Sequence, residues 1–187
     1  MKRRSKWLLW LGVTLVALGL CTAVVMGILQ HRGERQASRL VEQIEAILPP
    51  RTAGVADAYS VMQMPVWSVQ GTDMVALLDI PAHSVTLPVG DAWQQMRLMA
   101  HPCRFSGTAY DHSLIIGGGS KQLSCLKEMQ HGDEVIVTDM QGAEFRYTVS
   151  RIRRAAHADG ETLAGEAKLT LFARDYNNME YIIVECE

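Results

Sequence analysis

The sequence predicts a mainly-β domain, either a closed barrel or a sandwich, preceded by a transmembrane helix and a juxtamembrane helix. Three observations support this prediction: a long uncharged apolar run near the N-terminus, a charged segment with helical periodicity after it, and many short β-branched or aromatic runs separated by turn residues. Short strands joined by tight turns are typical of barrels and sandwiches. The 187 residues leave room for one such domain and a short appendage.

The N-terminal apolar run covers Trp7–Leu29 and contains no charged side chain. At a rise of ~1.5 Å per residue it spans roughly 35 Å, enough to cross a bilayer. A cleaved signal peptide fits less well, because its apolar region is usually ~7–15 residues long and no small-x-small cleavage site follows this run. The basic cluster Lys2, Arg3, Arg4 and Lys6 predicts a cytoplasmic N-terminus and an extracellular C-terminal domain. We therefore expect a single-pass protein of the cell membrane.

The segment Glu34–Leu48 carries apolar residues at helical spacing, and Pro49-Pro50 ends it. We expect a juxtamembrane helix whose apolar stripe packs on the domain or on a neighbour; a dedicated partner-binding helix is the alternative. Residues 51–72 lack a clear period and are predicted as a loop. The predicted organisation is a basic tail and transmembrane helix (1–30), a juxtamembrane helix and linker (31–72) and an extracellular β domain (73–187).

Charge and composition exclude some classes of partner. The formal net charge is −2, but beyond the first thirty residues 14 basic side chains face 20 acidic ones, a net of −6. Nucleic-acid binding is disfavoured, since phosphate contacts need a positive face. The Cys and His residues lack the paired spacing of zinc ligands, so no metal or other cofactor is expected. The run GGGSK at Gly117–Lys121 lacks the order of a phosphate loop and predicts a tight turn with positive φ.

The strands predicted in the domain are short and bounded by Pro, Gly, Asn or Asp. They lie at Met74–Ile80, Ser84–Val89, Ser113–Ile116, Asp133–Asp139, Glu144–Ile152, Lys168–Phe172 and Tyr181–Val184. The last two, separated by Asn177-Asn178, predict a β-hairpin at the centre of the sheet. The Met140-Gln141-Gly142 turn predicts a second hairpin. Residues 123–130 predict one or two helical turns at most.

Several motifs follow one another along residues 73–187 in the order found in one known family. They are Leu78-Asp79-Ile80-Pro81 with Pro88-Val89, Pro102–Gly107 with Leu114–Gly119, Gly132-Asp133, and Thr170-Leu171-Phe172-Ala173. Together they resemble the sortases, cysteine transpeptidases of Gram-positive cell surfaces, with class-B-like spacing as the nearest match. The resemblance implies a sortase-like closed β-barrel.

The resemblance also implies which positions would carry catalysis. A sortase attacks a peptide carbonyl with a Cys thiolate, transfers protons with a His, and holds the substrate or the oxyanion with an Arg. In this sequence Gly119 stands at the His position, Arg174 at the Cys position and Tyr181 at the Arg position. A guanidinium has no accessible nucleophilic form. The resemblance therefore implies a pseudo-sortase that binds sorting-signal peptides or assists an active sortase.

The last hairpin supplies the candidates for a peptide groove: Thr170, Phe172, Arg174, Asp175 and Tyr181. The Arg174-Asp175 pair has two interpretations. It is either a solvated or salt-bridged pair at a strand end, or Arg174 lies on the floor of an inherited groove. In that groove it would bind a carboxylate or a peptide carbonyl without cleaving it.

Two further hypotheses remain open at the level of sequence. In the first, Cys103 or Cys125 is the nucleophile of a divergent active sortase, with His101 as the close partner of Cys103. The competing interpretation is a buried or disulfide-bonded Cys and a surface His, with one disulfide possible among Cys103, Cys125 and Cys186. In the second hypothesis the chain is a structural or adhesive surface β-domain.

Overall fold

The computed structural model describes residues 39–50, 52–53, 63–69, 71–91, 93 and 101–187. The predicted transmembrane helix at 7–29 and the beginning of the juxtamembrane segment lie outside the described residues. No helix within the described ranges has both the length and the apolar character needed to cross a membrane.

The described residues form ten strands. In chain order they are β1 (Thr52–Ala53), β2 (Trp67–Val69), β3 (Thr72–Ile80), β4 (Val85–Gly90), β5 (Cys103–Ser106), β6 (Leu114–Gly118), β7 (Glu134–Asp139), β8 (Ala143–Ala155), β9 (Leu169–Asp175) and β10 (Glu180–Cys186). Residues 39–47 form helix α1, and Gly160–Leu163 form the one-turn helix α2. Short 3₁₀ helices cover Pro81–His83 and Ser124–Lys127.

Strands β3 to β10 close into an eight-strand barrel. The strands are paired in the order β8-β10-β9-β6-β5-β4-β3, and β7 completes the ring because it pairs with both β3 and β8. Strand β1 adds to β8 in parallel, and β2 adds to β3 in antiparallel fashion. The prediction of a mainly-β fold is confirmed. Of the two predicted architectures, closed barrel and sandwich, the structure is a closed barrel.

The barrel interior is the main hydrophobic core. Strand β9 contributes Leu171 and Ala173 to it, where they join Ile116 of β6. Because successive side chains of a strand point to opposite faces, Phe172 and Arg174 lie on the outer face of the barrel. The alternation along β9 therefore directs the Arg side chain away from the core.

Two parts of the strand prediction were wrong. Strand β5 was missed, because its four residues include Arg104 and are too few for an alternating pattern to stand out. Its position is fixed by its neighbours, through one parallel pair with Gly90 of β4 and an antiparallel ladder with β6. The stretch 51–72, predicted as a loop, contains β1 and β2. Such short strands are specified by the sheet that they join rather than by their own sequence.

The tight turn predicted at Gly117–Lys121 lies further along the chain than expected and begins after β6, where the backbone N–H of Leu123 donates to the carbonyl oxygen of Gly119. Gly117 and Gly118 lie within the strand, and neither has a positive φ. A Cβ at Gly117 would lie 2.2 Å from Cζ3 of Trp93 and 2.4 Å from Cζ of Phe172. Glycine is needed here because two aromatic rings rest directly on the backbone. The turn predicted at Gly142, in contrast, is confirmed, with φ of 82°.

Helix α1 packs on the outside of β3 and on the turn that follows β7. Ile44 is fully buried in a second, smaller cluster that contains Met74, Leu77 and Met140. Ile47, on the same helix, is 53% exposed. The apolar stripe of this segment therefore covers the β domain, as the helical spacing predicts.

Candidate functional site

The candidate site lies at one end of three neighbouring strands, β6, β9 and β10. Strands β6 and β9 run in parallel, and their last paired residues are Gly118 and Ala173. Gly119 and Arg174 follow directly after that pair. On β10, Tyr181 is the cross-strand partner of Arg174. The three positions assigned from the family resemblance are thus brought together, although they come from distant parts of the sequence.

Arg174 is held by tyrosines rather than by acids. Its guanidinium carbon lies 5.6 Å from the ring centroid of Tyr176 and 5.7 Å from that of Tyr181. Within the described part of the chain, no carboxylate is at ion-pair distance from this side chain, and its Nε is buried without a hydrogen-bond partner. A buried unpaired donor costs about 1–3 kcal/mol, so this Nε–H is a local cost of the arrangement.

Asp175 does not share this face of the strand. Its carboxylate is 2% exposed and accepts hydrogen bonds from Lys127 Nζ at 2.7 Å and from Arg154 Nη1 at 3.2 Å. The hydrogen bond from Lys127 is the main reason that the pKa of Asp175 falls from 3.8 to about 2. Adjacent residues of a strand point in opposite directions, so Asp175 is a structural anchor instead of the expected groove residue, and it forms no pair with Arg174.

Thr170 and Phe172 are on the outer face but are covered. They are 3% and 2% exposed, respectively. Phe172 lies within an aromatic cluster, with its ring centroid 5.2 Å from Trp93, 5.6 Å from Phe105 and 6.4 Å from Tyr181. Of the five groove candidates, only Arg174 and Tyr181 keep access to solvent, and Phe172 forms the packed layer beneath them.

Three residues of this region were missed by sequence reasoning: Trp93, Tyr176 and Met179. Tyr176 and Met179 are 63% and 62% exposed at the tip of the β9–β10 hairpin. The sequence did contain a signal for these two residues, because turns usually carry small polar residues and this predicted turn carries large side chains. Trp93 offered no such signal, since its contact with β6 and β9 depends on the path of the chain between β4 and β5.

Three cysteines lie within the described residues. Cys103, Cys125 and Cys186 are free and buried, so the disulfide considered possible among them is not formed. Burial raises the pKa of Cys186 to about 12 and also raises the pKa of Cys125. Both thiols remain protonated at neutral pH and are poor nucleophiles.

Cys103 and His101 form a buried pair. The Sγ of Cys103 lies 3.7 Å from Nδ1 of His101, which is itself 3.1 Å from the carbonyl oxygen of Pro102. His101 is 3% exposed, so the expectation of a surface histidine was wrong. The imidazole is buried because it lies against Gly90, where a Cβ would be 2.7 Å from the His101 ring.

The described residues offer no evident metal site. No three His, Cys, Asp or Glu side chains in these ranges are close enough together to hold a metal ion. The Arg174 region offers a guanidinium and two aromatic rings, which can take part in hydrogen bonding, charge interactions and aromatic contact.

The eight-strand barrel, with β6 parallel to β9 and the β9–β10 hairpin beside it, places this chain in the class of sortase-like barrels. Among solved structures it is similar to sortase A from Corynebacterium diphtheriae, with 17% identity, a TM-score of 0.55, and coverage of 84% of this chain and 83% of that chain. It is also similar to a Clostridium perfringens sortase D5 transpeptidase, with 20% identity, a TM-score of 0.53, and coverage of 62% of this chain and 78% of that chain.

A third similar structure is sortase C from Clostridium perfringens with the C-terminal cell wall sorting motif, at 15% identity and a TM-score of 0.54, covering 70% of this chain and 79% of that chain. No family profile matches the sequence, and no curated protein shows a significant sequence match. At these identities the similarity establishes the sortase fold. The class-B-like spacing stays a prediction.

Proposed function

We propose that this chain is a non-catalytic, sortase-like protein, anchored in the cell membrane by its N-terminal helix, that binds a peptide on the outer face of its barrel. The chain holds the bound peptide without cleaving it. It acts either as a peptide-binding protein or as an assistant to an active sortase at the cell surface. The similarity to a sortase C solved with a sorting motif supports a peptide as the ligand class.

The observation that carries this proposal is the position of Arg174. It stands at the end of β9, beside Tyr181 and next to the end of β6, where the resemblance would place a nucleophilic thiol. Acyl transfer requires a nucleophile that can form a covalent intermediate, and a guanidinium cannot do so. The three described thiols are all buried. Among the described residues, the exposed edge of the site offers an arginine that would hold a peptide and no exposed thiol that would attack it.

The test uses the full chain in detergent and a fluorescent peptide that carries a C-terminal cell wall sorting motif. We expect saturable binding by fluorescence anisotropy, weakened by Arg174→Ala, and no covalent adduct by mass spectrometry. Arg151→Ala is the matched control, because Arg151 is 69% exposed and lies on β8, where its neighbour is Glu185 of β10. Saturable acylation of any cysteine would refute the proposal. Absence of all peptide binding would favour a structural or adhesive surface domain.

A second candidate function rests on the Cys103–His101 contact of 3.7 Å. A thiol beside an imidazole is the arrangement of a cysteine nucleophile with its base, so a divergent active sortase would use this pair. Its weakness is burial, since Cys103 is 0% exposed and no peptide carbonyl can reach it in this conformation. This function requires fast alkylation of Cys103 at neutral pH and peptide cleavage that Cys103→Ala abolishes.

A further inference from the structure

We infer that Arg174 is a receptor for a carboxylate, so that the bound peptide presents an anionic group at the end of β9. The group is either a C-terminal carboxylate or an Asp or Glu side chain. The peptide part of this inference rests on the proposed function, whereas binding of the anion itself does not. Sequence alone left a carboxylate and a neutral peptide carbonyl as equal alternatives.

The first reason is charge. The nearest acid in sequence, Asp175, is occupied by Lys127 and Arg154 on the other face of the strand. Arg174 has no carboxylate at ion-pair distance among the described residues. The guanidinium therefore carries an uncompensated positive charge at the surface of an otherwise acidic domain. An anionic ligand would neutralise this charge, which a neutral carbonyl cannot do.

The second reason is the number of free donors. The buried Nε–H of Arg174 makes no hydrogen bond to the described residues. Its terminal nitrogens make none to them either. A carboxylate can accept from one terminal nitrogen with each of its two oxygens, as a bidentate pair. A peptide carbonyl has a single oxygen and would leave one donor unmatched.

The third reason is the surroundings of the guanidinium. The rings of Tyr176 and Tyr181 lie within 6 Å of it and form a partly exposed apolar rim. Apolar surroundings reduce screening by water and strengthen an ion pair. The same rim offers contact area to the hydrocarbon part of a ligand. Cation, free donors and apolar rim together form a small site for an organic anion.

The primary test compares propionate with propionamide, which have the same shape but differ in charge. The full chain in detergent is titrated with each while the arginine Nε–H signals are followed by ¹H–¹⁵N NMR. We expect propionate, and not propionamide, to shift the Arg174 signal saturably. Propionate should also shift the backbone signals around Tyr176 and Tyr181, and Arg174→Gln should abolish these shifts. Arg146→Gln should leave them unchanged, because Arg146 is already paired with Glu134 and Glu144.

Arg174→Lys separates charge from geometry. Lysine keeps the positive charge but loses the planar pair of donors, so we expect clearly weaker propionate binding than in the unmodified chain. Unchanged binding would mean that charge alone suffices and would overturn the bidentate assignment. The ¹H–¹⁵N spectrum of each variant shows directly whether the fold is kept.

The peptide arm identifies the source of the carboxylate. A sorting-motif peptide is compared as its free acid and its C-terminal amide, and internal Asp or Glu is exchanged for Asn or Gln in a second pair. We expect one of these changes to weaken binding about tenfold or more in the unmodified chain, and to have little effect in Arg174→Gln. The peptide pair whose affinity changes shows whether the carboxylate is the C-terminus or an Asp or Glu side chain.

The two proposals fail in different ways. Equal shifts with propionate and propionamide, or propionate binding that survives Arg174→Gln, would overturn the carboxylate receptor even if peptides bind. Propionate binding at Arg174 without affinity for any peptide would support the receptor and refute the proposed function.

Discussion

Arg174 and Tyr181 are cross-strand partners on β9 and β10, with the guanidinium carbon 5.7 Å from the tyrosine ring centroid. A cation over an aromatic face at this distance is stabilised by about 0.5–1 kcal/mol at an exposed site. The contact positions the guanidinium without using its hydrogen-bond donors. Arg174 is thus held in place on one side and remains free to bind on the other.

If Arg174 lies at an accessible site, a cysteine in its place should be reactive. We expect Arg174→Cys to be alkylated by iodoacetamide at pH 7.5 at least about tenfold faster than Cys125 or Cys186, because burial keeps those two thiols protonated. Mass spectrometry after timed labelling measures the rates, and labelling in denaturant is the control for total thiol. If the new cysteine were alkylated as slowly as Cys125 and Cys186, the site would be closed to solvent.

The contact of Trp93 and Phe172 with Gly117 predicts a stability effect. A methyl group at Gly117 would meet Trp93 at 2.2 Å, so Gly117→Ala should lower the free energy of unfolding by about 1–3 kcal/mol and alter the tryptophan fluorescence. Gly160→Ala is the matched control, because no heavy atom lies within 4 Å of a Cβ there. Urea unfolding of both variants measures the difference. A neutral Gly117→Ala would contradict the described packing.

Asp175 predicts a pH dependence of stability. Its pKa in the folded protein is about 2 and lies below its ordinary value of 3.8, mainly because of Lys127. The ionised form is therefore favoured by folding, and its stabilising contribution is present above about pH 4 and is lost as the pH falls toward 2. Unfolding curves between pH 5 and pH 2 should show a smaller pH dependence for Asp175→Asn than for the unmodified chain.

Lys127→Met gives an independent check of the same carboxylate. Removing the largest favourable partner should raise the pKa of Asp175 toward its ordinary value, which side-chain NMR titration can follow. An unchanged pKa in this variant would show that the other hydrogen bonds, from Arg154 and the Asn177 backbone, hold the carboxylate without Lys127.

Helix α1 should contribute to stability through one face only. Ile44 is fully buried, so Ile44→Ala should cost about 2–5 kcal/mol of unfolding free energy. Ile47 is 53% exposed, and Ile47→Ala should stay within about 0.5 kcal/mol of the unmodified chain. Thermal and urea unfolding compare the two. Similar losses in both variants would mean that the helix packs differently from the arrangement described.

The sequence was sufficient to predict the strands with strong local signals. The β9–β10 hairpin combines β-branched and aromatic runs with an Asn-Asn turn, and the observed strands extend the predicted ones by only a few residues. Strand β5 could not be predicted in the same way, because four residues with an interior arginine carry too little pattern. Its place is set by the neighbouring strands.

The family positions were assigned from motif order, and the structure brings Gly119, Arg174 and Tyr181 to adjacent strand ends. The surroundings of Arg174 and Asp175 were beyond sequence reasoning. Asp175 is bound by Lys127 and Arg154, which are 48 and 21 residues away along the chain. Such non-local pairs leave no periodic signal, and neither does the contact of Trp93 with Gly117.

The parallel pairing of β6 with β9 has a consequence for biosynthesis. These strands are separated in sequence by β7 and β8, so a chain emerging from the ribosome holds half of the Arg174 site long before the other half is made. Contacts between such distant segments form late and slowly in folding. Until the final hairpin is synthesised and docks, the edge of β6 is unpaired, and that interval is when this protein most needs protection from aggregation.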